Sequence, residues 1–121
     1  MTPKVLVVDD SPQFREAVAV LLAERGLELF GQAADGREAL DATAEVCPDG
    51  ILLDINLPGA DGFTVAVALA AACPSARIVL TSANVADLPE QVLAECAVAA
   101  FVPKEALAGI DLGALFTPAG R

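Results

Sequence analysis

Ile51-Leu52-Leu53-Asp54-Ile55-Asn56-Leu57-Pro58-Gly59 decides the fold. An apolar run ends on one carboxylate, and turn-forming residues follow at once. A short continuous run, rather than an alternating one, is the pattern of a strand buried on both faces, as in a parallel sheet. Pro58-Gly59 and then Asp61-Gly62 mark a loop. Asp54 is thereby placed at the carboxyl end of a central strand, the edge where open α/β sheets put their ligand sites. A lone strand-end Asp more often only caps a turn, so Asp54 must be read together with the other acidic strand end of the chain.

That second end is Asp9-Asp10-Ser11-Pro12, which closes the strand-like run Lys4-Val5-Leu6-Val7-Val8. Ser11 suits an N-cap and Pro12 the first helical position. A helix follows to about residue 24, with Phe14, Val18, Leu21 and Leu22 on one face and Arg15 and Glu16 outside. Gly26 closes it. Residues 27–33 read as a second strand, less apolar and so nearer an edge. Asp35-Gly36 turns into a helix over 37–46, with Ala39, Leu40 and Thr43 facing inward, and Cys47-Pro48 stops it. The third strand is 50–54. A helix over 62–72 is stopped by Cys73-Pro74, and a fourth strand over 77–81 runs into Ser82-Ala83-Asn84.

A helix is expected over 88–96, and a fifth strand over 99–102 leads to Pro103-Lys104. Gly109 and Gly113 each disfavour a helix by about 1 kcal/mol against alanine. The end therefore reads as a turn near 105–107, a short helix over 111–116 and a frayed tail over 117–121. Residues 1–121 make one domain, with an ordered core to about residue 116. Five strands alternating with helices give a doubly wound parallel sheet of order 2-1-3-4-5, an α/β fold of the flavodoxin-like kind.

Composition narrows the function. The chain is 55% apolar, enough for a real core and too much for a disordered segment. Its mean hydropathy of +0.60 does not signal a membrane span. The longest apolar run, 65–73, is far short of the roughly 20 residues a spanning helix needs. No signal peptide is visible, since Val5 to Val8 runs straight into two aspartates. A formal charge of −10 argues against direct nucleic-acid binding and favours cations and basic partner surfaces. The three cysteines, Cys47, Cys73 and Cys96, are widely spaced without a C-x-x-C pair. They read as small core side chains in a reduced, cytoplasmic compartment.

The 2-1-3-4-5 order brings Asp9, Asp10 and Asp54 to one edge. Three carboxylates in one pocket repel one another unless a cation intervenes or a proton is held. Few, hard oxygen ligands suit Mg²⁺ or Mn²⁺. Asp54 is the nucleophile candidate, because a carboxylate can attack phosphorus to give an aspartyl phosphate. Thr81 and Lys104, ending the fourth and fifth strands, add a hydroxyl and an ammonium able to bind phosphoryl oxygens. Singly, each has a plainer reading: Asp9 and Thr81 as helix caps, Lys104 as a solvated loop lysine. Together at one rim, the functional reading is the stronger.

Val7-Val8-Asp9-Asp10, then Asp54 through Gly62, Leu80-Thr81-Ser82-Ala83, and Phe101-Val102-Pro103-Lys104 resemble the receiver domain of two-component response regulators. The resemblance covers essentially the whole chain. It implies that Asp54 accepts a phosphoryl group from a sensor histidine kinase or phosphotransfer protein. It implies Mg²⁺ on Asp10, Asp54 and the Asn56 backbone carbonyl, with Asp9 acting through water. Thr81 and Lys104 would hold phosphoryl oxygens, and Thr81 and Phe101 would form the switch pair. Asn56 and Ala83 would tune the phosphoryl lifetime. The face made by the 88–96 helix, the fifth strand and the C-terminal helix would meet a downstream effector or output domain, or a second copy in a homodimer. Residues 29–40 look most like receivers that precede helix-turn-helix output domains. Such a switch is expected to be no enzyme beyond acting on its own phosphoryl group.

Three departures stand out: Leu57 where the family often has Met, a mild change, Ala97 where it often has Gly, and a short, glycine-broken C-terminal helix. No output domain follows within these residues, which fits either a stand-alone receiver or a piece of a longer regulator. A haloacid-dehalogenase-type phosphohydrolase would need a second Asp two residues beyond the first, which Asp9-Asp10-Ser11-Pro12 lacks. A receiver serving as a constitutive interaction module, never phosphorylated, is the remaining alternative.

Overall fold

Alternation along β3 sorts the core into two layers. Side chains of successive strand residues point to opposite faces. Ile51 and Leu53 join Leu6, Val8, Ile78 and Leu80 on one side, while Leu52 joins Val5, Val7, Val79 and Val102 on the other. The computed structural model describes residues 2–59, 61–83 and 98–116. Its strands are β1 (Lys4–Val8), β2 (Glu28–Ala33), β3 (Gly50–Asp54), β4 (Arg77–Ser82) and β5 (Ala100–Pro103). They form one parallel sheet in the order β2-β1-β3-β4-β5, as expected. Every residue of β3 is buried, which is why its sequence is continuously apolar. β2 lies at an edge, in keeping with its weaker hydrophobicity.

The first layer is covered by α2 (Gly36–Ala42) and α3 (Gly62–Ala72) through Ala39, Val65, Ala66 and Leu69. The second is covered by α1 (Pro12–Glu24), a 3-10 turn (Lys104–Gly109) and α4 (Leu112–Phe116). Val18, Leu22, Leu107, Leu112 and Phe116 fill it. The α1 start is as read: Ser11 Oγ accepts the Phe14 N–H at 3.2 Å and Pro12 opens the helix. Asp61 caps α3 by accepting the Phe63 N–H. Gly62 meets the backbone of Ile55 so closely that a Cβ there would lie 2.3 Å from the Ile55 Cα. Its N–H donates to the Ile55 carbonyl at 3.1 Å, which folds the loop after Asp54 tightly back.

The structure differs from the sequence reading in several places. α2 stops at Ala42 rather than near 46, because the Thr43 hydroxyl turns back onto the Ala39 and Leu40 carbonyls. Ala39 and Thr43 are buried as expected, but Leu40 is exposed. Arg15 is not simply solvated: its guanidinium donates to the Asp9 carbonyl and to Gln32 Oε1. Cys47 and Cys73 are joined in a disulfide with Cα atoms 5.7 Å apart, where free thiols had been expected. They stand 26 residues apart in sequence, but the fold returns the end of α3 to the segment after α2. The cysteines thus give no support to a reduced compartment. The helix expected over 88–96, Ala97 and the tail over 117–121 lie outside the described residues. Among the described residues, no helix is long and apolar enough to cross a membrane.

Candidate functional site

Strand register builds the site. Val8 lies opposite Leu53, so Asp9 and Asp54 leave β1 and β3 side by side. Asp54 in turn lies opposite Thr81. The loop after β5 starts at Lys104, one strand further along the same edge. The oxygens that Asp9, Asp10 and Asp54 offer all lie within 4.8 Å of one another.

Asp9 has no exposed surface and Asp54 is 3% exposed, whereas Asp10 faces solvent. Asp9 Oδ1 accepts the Ser11 N–H at 2.8 Å, so Asp9 does shape the turn into α1. Among the described residues its Oδ2 accepts no hydrogen bond of regular geometry; the Lys104 ammonium meets it as an ion pair at 2.7 Å. Asp54 Oδ1 accepts the Asn56 N–H at 3.0 Å, and Oδ2 stands 3.4 Å from the same ammonium. Asn56 Nδ2 donates to Ser82 Oγ at 3.2 Å. Thr81 is fully buried, and its Oγ1 has no hydrogen-bond partner among the described residues. Phe101 sits opposite Leu80, half-buried against the α2–α3 core layer. The side chains of Asp9, Asp10, Asp54 and Lys104 thus form one group, with Asn56 and Thr81 at its margin and Phe101 on the core.

Burial pushes the Asp54 carboxyl above the ordinary Asp value. The Asn56 N–H and Lys104 pull it back, Asp9 pushes it up again, and the balance stays raised. For Lys104 burial pulls the other way, toward neutrality. The Asp9 and Asp54 carboxylates outweigh it and hold the ammonium above its usual value. Three carboxylates facing one ammonium leave excess negative charge at the rim. All the acidic donors are oxygens, one of them a buried oxygen without a regular hydrogen bond, and such a set fits a hard divalent cation. Receiver domains generally bind Mg²⁺ at an acidic pocket of this kind.

Two contributors escape a reading of strand ends. Phe14 places its ring 4.3 Å from the Lys104 ammonium. Ser82 fixes the Asn56 amide. The signal for Phe14 was its place in the first turn of α1, directly beyond Asp9 and Asp10; its helical spacing pointed to the core instead, where it also packs.

The sequence profile of the family "Response regulator receiver domain" matches residues 5–110. Over 80 residues the chain is 45% identical to protein-glutamate methylesterase/protein-glutamine glutaminase 5 of Myxococcus xanthus (strain DK1622), covering 65% of this chain and 23% of that protein. Vibrio cholerae chemotaxis protein CheY4 superposes with a TM-score of 0.80 at 28% identity, covering 95% of this chain and 99% of that one. A response regulator protein from Burkholderia pseudomallei, solved with a phosphorylated aspartic acid, calcium ion and citrate, superposes with a TM-score of 0.81 at 25% identity. That match covers 93% of this chain and 66% of the other.

These relatives overturn the expectation that no enzyme is involved. The chain spans about a quarter of the length of curated relatives that are named as methylesterase/glutaminase enzymes. The matched quarter is one part of those longer enzymes. By its profile match, its strand order and its acidic rim, this chain belongs to the response regulator receiver domain family of two-component systems.

Proposed function

We propose that the domain, residues 1–121 as one unit, is a phosphorylation switch with Asp54 as acceptor. A carboxylate oxygen of Asp54 attacks phosphorus, and the phosphorus–nitrogen bond to a phosphohistidine breaks. The imidazole leaves with a proton from solvent. The donor is a sensor histidine kinase or phosphotransfer protein. The observation that carries this reading is the buried Asp54 carboxylate, within 4.8 Å of the oxygens offered by Asp9 and Asp10 and 3.4 Å from the Lys104 ammonium. Asp9, Asp10, Asp54 and the Asn56 carbonyl would hold Mg²⁺ or Mn²⁺, which when bound offsets charge on the carboxylate and phosphoryl oxygens. Lys104 supplies a second positive charge at the same rim, 2.7 Å from Asp9 and 3.4 Å from Asp54. The buried Thr81 hydroxyl, without a hydrogen-bond partner among the described residues, would bond a phosphoryl oxygen. A new dianion beside β4 then biases Thr81 and Phe101, which carry the signal toward the outer side of β5.

The partner reading that surface is an effector, an output domain or a second copy, in the cytoplasm and without direct nucleic-acid contact by this segment. Protein-glutamate ester hydrolysis, the activity in the names of the curated relatives, is one output such a switch would govern. The test is intact mass after incubation with acetyl phosphate. A phosphoryl-sized gain is expected in wild type with Mg²⁺, and neither without Mg²⁺ nor in Asp54→Asn. If folded, metal-binding wild type gains no mass from acetyl phosphate or a cognate phosphohistidine donor, and partners bind wild type and Asp54→Asn equally, the constitutive interaction module takes its place.

A further inference from the structure

We propose that Phe14 is a positioning residue for the phosphoryl-transfer site and acts through Lys104. This rests on reading Asp54 as the acceptor and adds a residue to its machinery. Lys104 is the one ammonium at the rim among the described residues, and its flexible four-carbon stem gives it no fixed direction of its own. Three groups surround it: Asp9 at 2.7 Å, Asp54 at 3.4 Å and the Phe14 ring at 4.3 Å to the centroid. The two carboxylates draw the ammonium toward the rim. The ring face, which attracts a cation through its quadrupole, backs it from the α1 side.

The ring is itself held in place. Phe14 lies in the first turn of α1, its N–H is bonded to Ser11 Oγ, and its side chain packs against the layer containing Val18, Leu22 and Leu107. A mostly apolar groove of about 350 Å³ opens between α1 and the 3-10 turn, lined by the Phe14 ring itself together with Leu21, Glu24, Lys104 and Leu107. Without an aromatic wall, the stem has room to lean into that groove and withdraw its ammonium from Asp54. A leucine at position 14 would fill much of the space but present no negative face. Phe14 therefore aims the charge that must meet phosphoryl oxygens, without touching them.

The experiment is acetyl phosphate labelling with Mg²⁺ on wild type, Phe14→Leu, Phe14→Tyr, Lys104→Ala and the Phe14→Leu/Lys104→Ala pair, each checked for folding by circular dichroism. Phe14→Leu should lower the maximal labelling rate about threefold, in the range of a partly exposed cation–π contact, with the half-saturating donor concentration little changed. Phe14→Tyr keeps the ring face and should restore the rate. In the Lys104→Ala background Phe14→Leu should have no further effect. A Leu penalty equally large without Lys104, or a Tyr variant as slow as Leu, overturns the proposal and leaves Phe14 as a packing residue.

A second readout does not depend on phosphorylation. The chain has only two lysines, Lys4 and Lys104, so selective labelling gives two ε-methylene signals. The Lys104 signal should be displaced upfield by the ring in wild type and Phe14→Tyr, and should collapse toward that of Lys4 in Phe14→Leu. A Lys104 signal without that displacement in wild type overturns the placement whatever the labelling does. A displaced signal in a wild type that takes phosphate neither from acetyl phosphate nor from a cognate phosphohistidine donor supports the ring contact and discards Asp54 as acceptor.

Discussion

At the carboxyl ends of β1 and β3, two buried carboxylates share one ammonium, and beside them the buried Thr81 hydroxyl has no hydrogen-bond partner among the described residues. At the amino ends of the same strands the polar groups are matched. The Lys4 N–H donates to the Asp49 carboxylate, the Asp49 N–H to the Lys4 carbonyl, and the Arg77 N–H to the Asp49 carbonyl. Phe116 packs directly on Gly50, and the Cys47–Cys73 disulfide ties together the segments that enter β3 and β4. Burying charge without full compensation costs stability, whereas packing and cross-links add it. The molecule therefore separates its two tasks by about one strand length: one end holds the fold together and the other keeps reactive groups in readiness.

The disulfide offers the largest break in this contrast. It closes a loop between residues 26 apart, and in the chain-entropy account such a closure contributes about 3.5 kcal/mol. Urea unfolding with and without a thiol reductant should show that loss. Cys47→Ser/Cys73→Ser should match the reduced protein and ignore the reductant. Asp54 labelling by acetyl phosphate should stay unchanged in all of these forms while they remain folded. A slower labelling on reduction would show that the two ends are coupled.

Gly50 sharpens the comparison at the same end. A Cβ there would lie 2.2 Å from a ring carbon of Phe116, closer than any real contact allows. Gly50→Ala should destabilise by about 2 kcal/mol through overpacking. Adding Phe116→Leu should recover part of that loss, so that the double variant is more stable than the sum of the singles requires. Denaturant titration of the four proteins checks it. Strict additivity would mean that the ring moves aside freely and that this end is looser than its packing implies.

How much of this was legible beforehand follows from which signals are local. Runs such as Ile51-Leu52-Leu53 and punctuation such as Ser11-Pro12 and Asp61-Gly62 act within a few residues, so strand order and helix starts were readable. The rim was readable too, because Asp9, Asp54, Thr81 and Lys104 each end a strand, and a parallel sheet collects its strand ends. Contacts made by the tertiary path were not. Nothing near Cys47 in sequence announces Cys73, and Phe14 looked like one more core residue because its helical spacing is the same whether or not a lysine lies over its ring. The early stop of α2 was hidden for another reason: a threonine hydroxyl competing for helix carbonyls leaves no mark on hydrophobic periodicity.

The smallest expected effect has the opposite sign and lies at the other end. Burial raises the Asp54 carboxyl, so the folded protein binds that proton more tightly than the unfolded chain does. The associated stability is fully present below the unfolded value and is lost as pH rises through the folded one. Wherever it is ionised, and without metal, Asp54 is therefore a net burden. Asp54→Asn should raise stability by about 1 kcal/mol at neutral pH, since an amide keeps an acceptor for the Asn56 N–H and sheds the buried charge. Its advantage should shrink as pH falls and wild-type Asp54 takes up its proton. Lys104, also raised, acts on the alkaline side: its contribution fades only as pH climbs through its folded value. Thermal unfolding of both proteins across acid to neutral pH, with and without Mg²⁺, reads all of this at once. Mg²⁺ should stabilise wild type more than Asp54→Asn and so narrow or reverse the gap. A variant less stable than wild type at neutral pH without metal would mean that Lys104 and Asn56 more than compensate for burying Asp54, and the division between the two ends would lose its energetic basis.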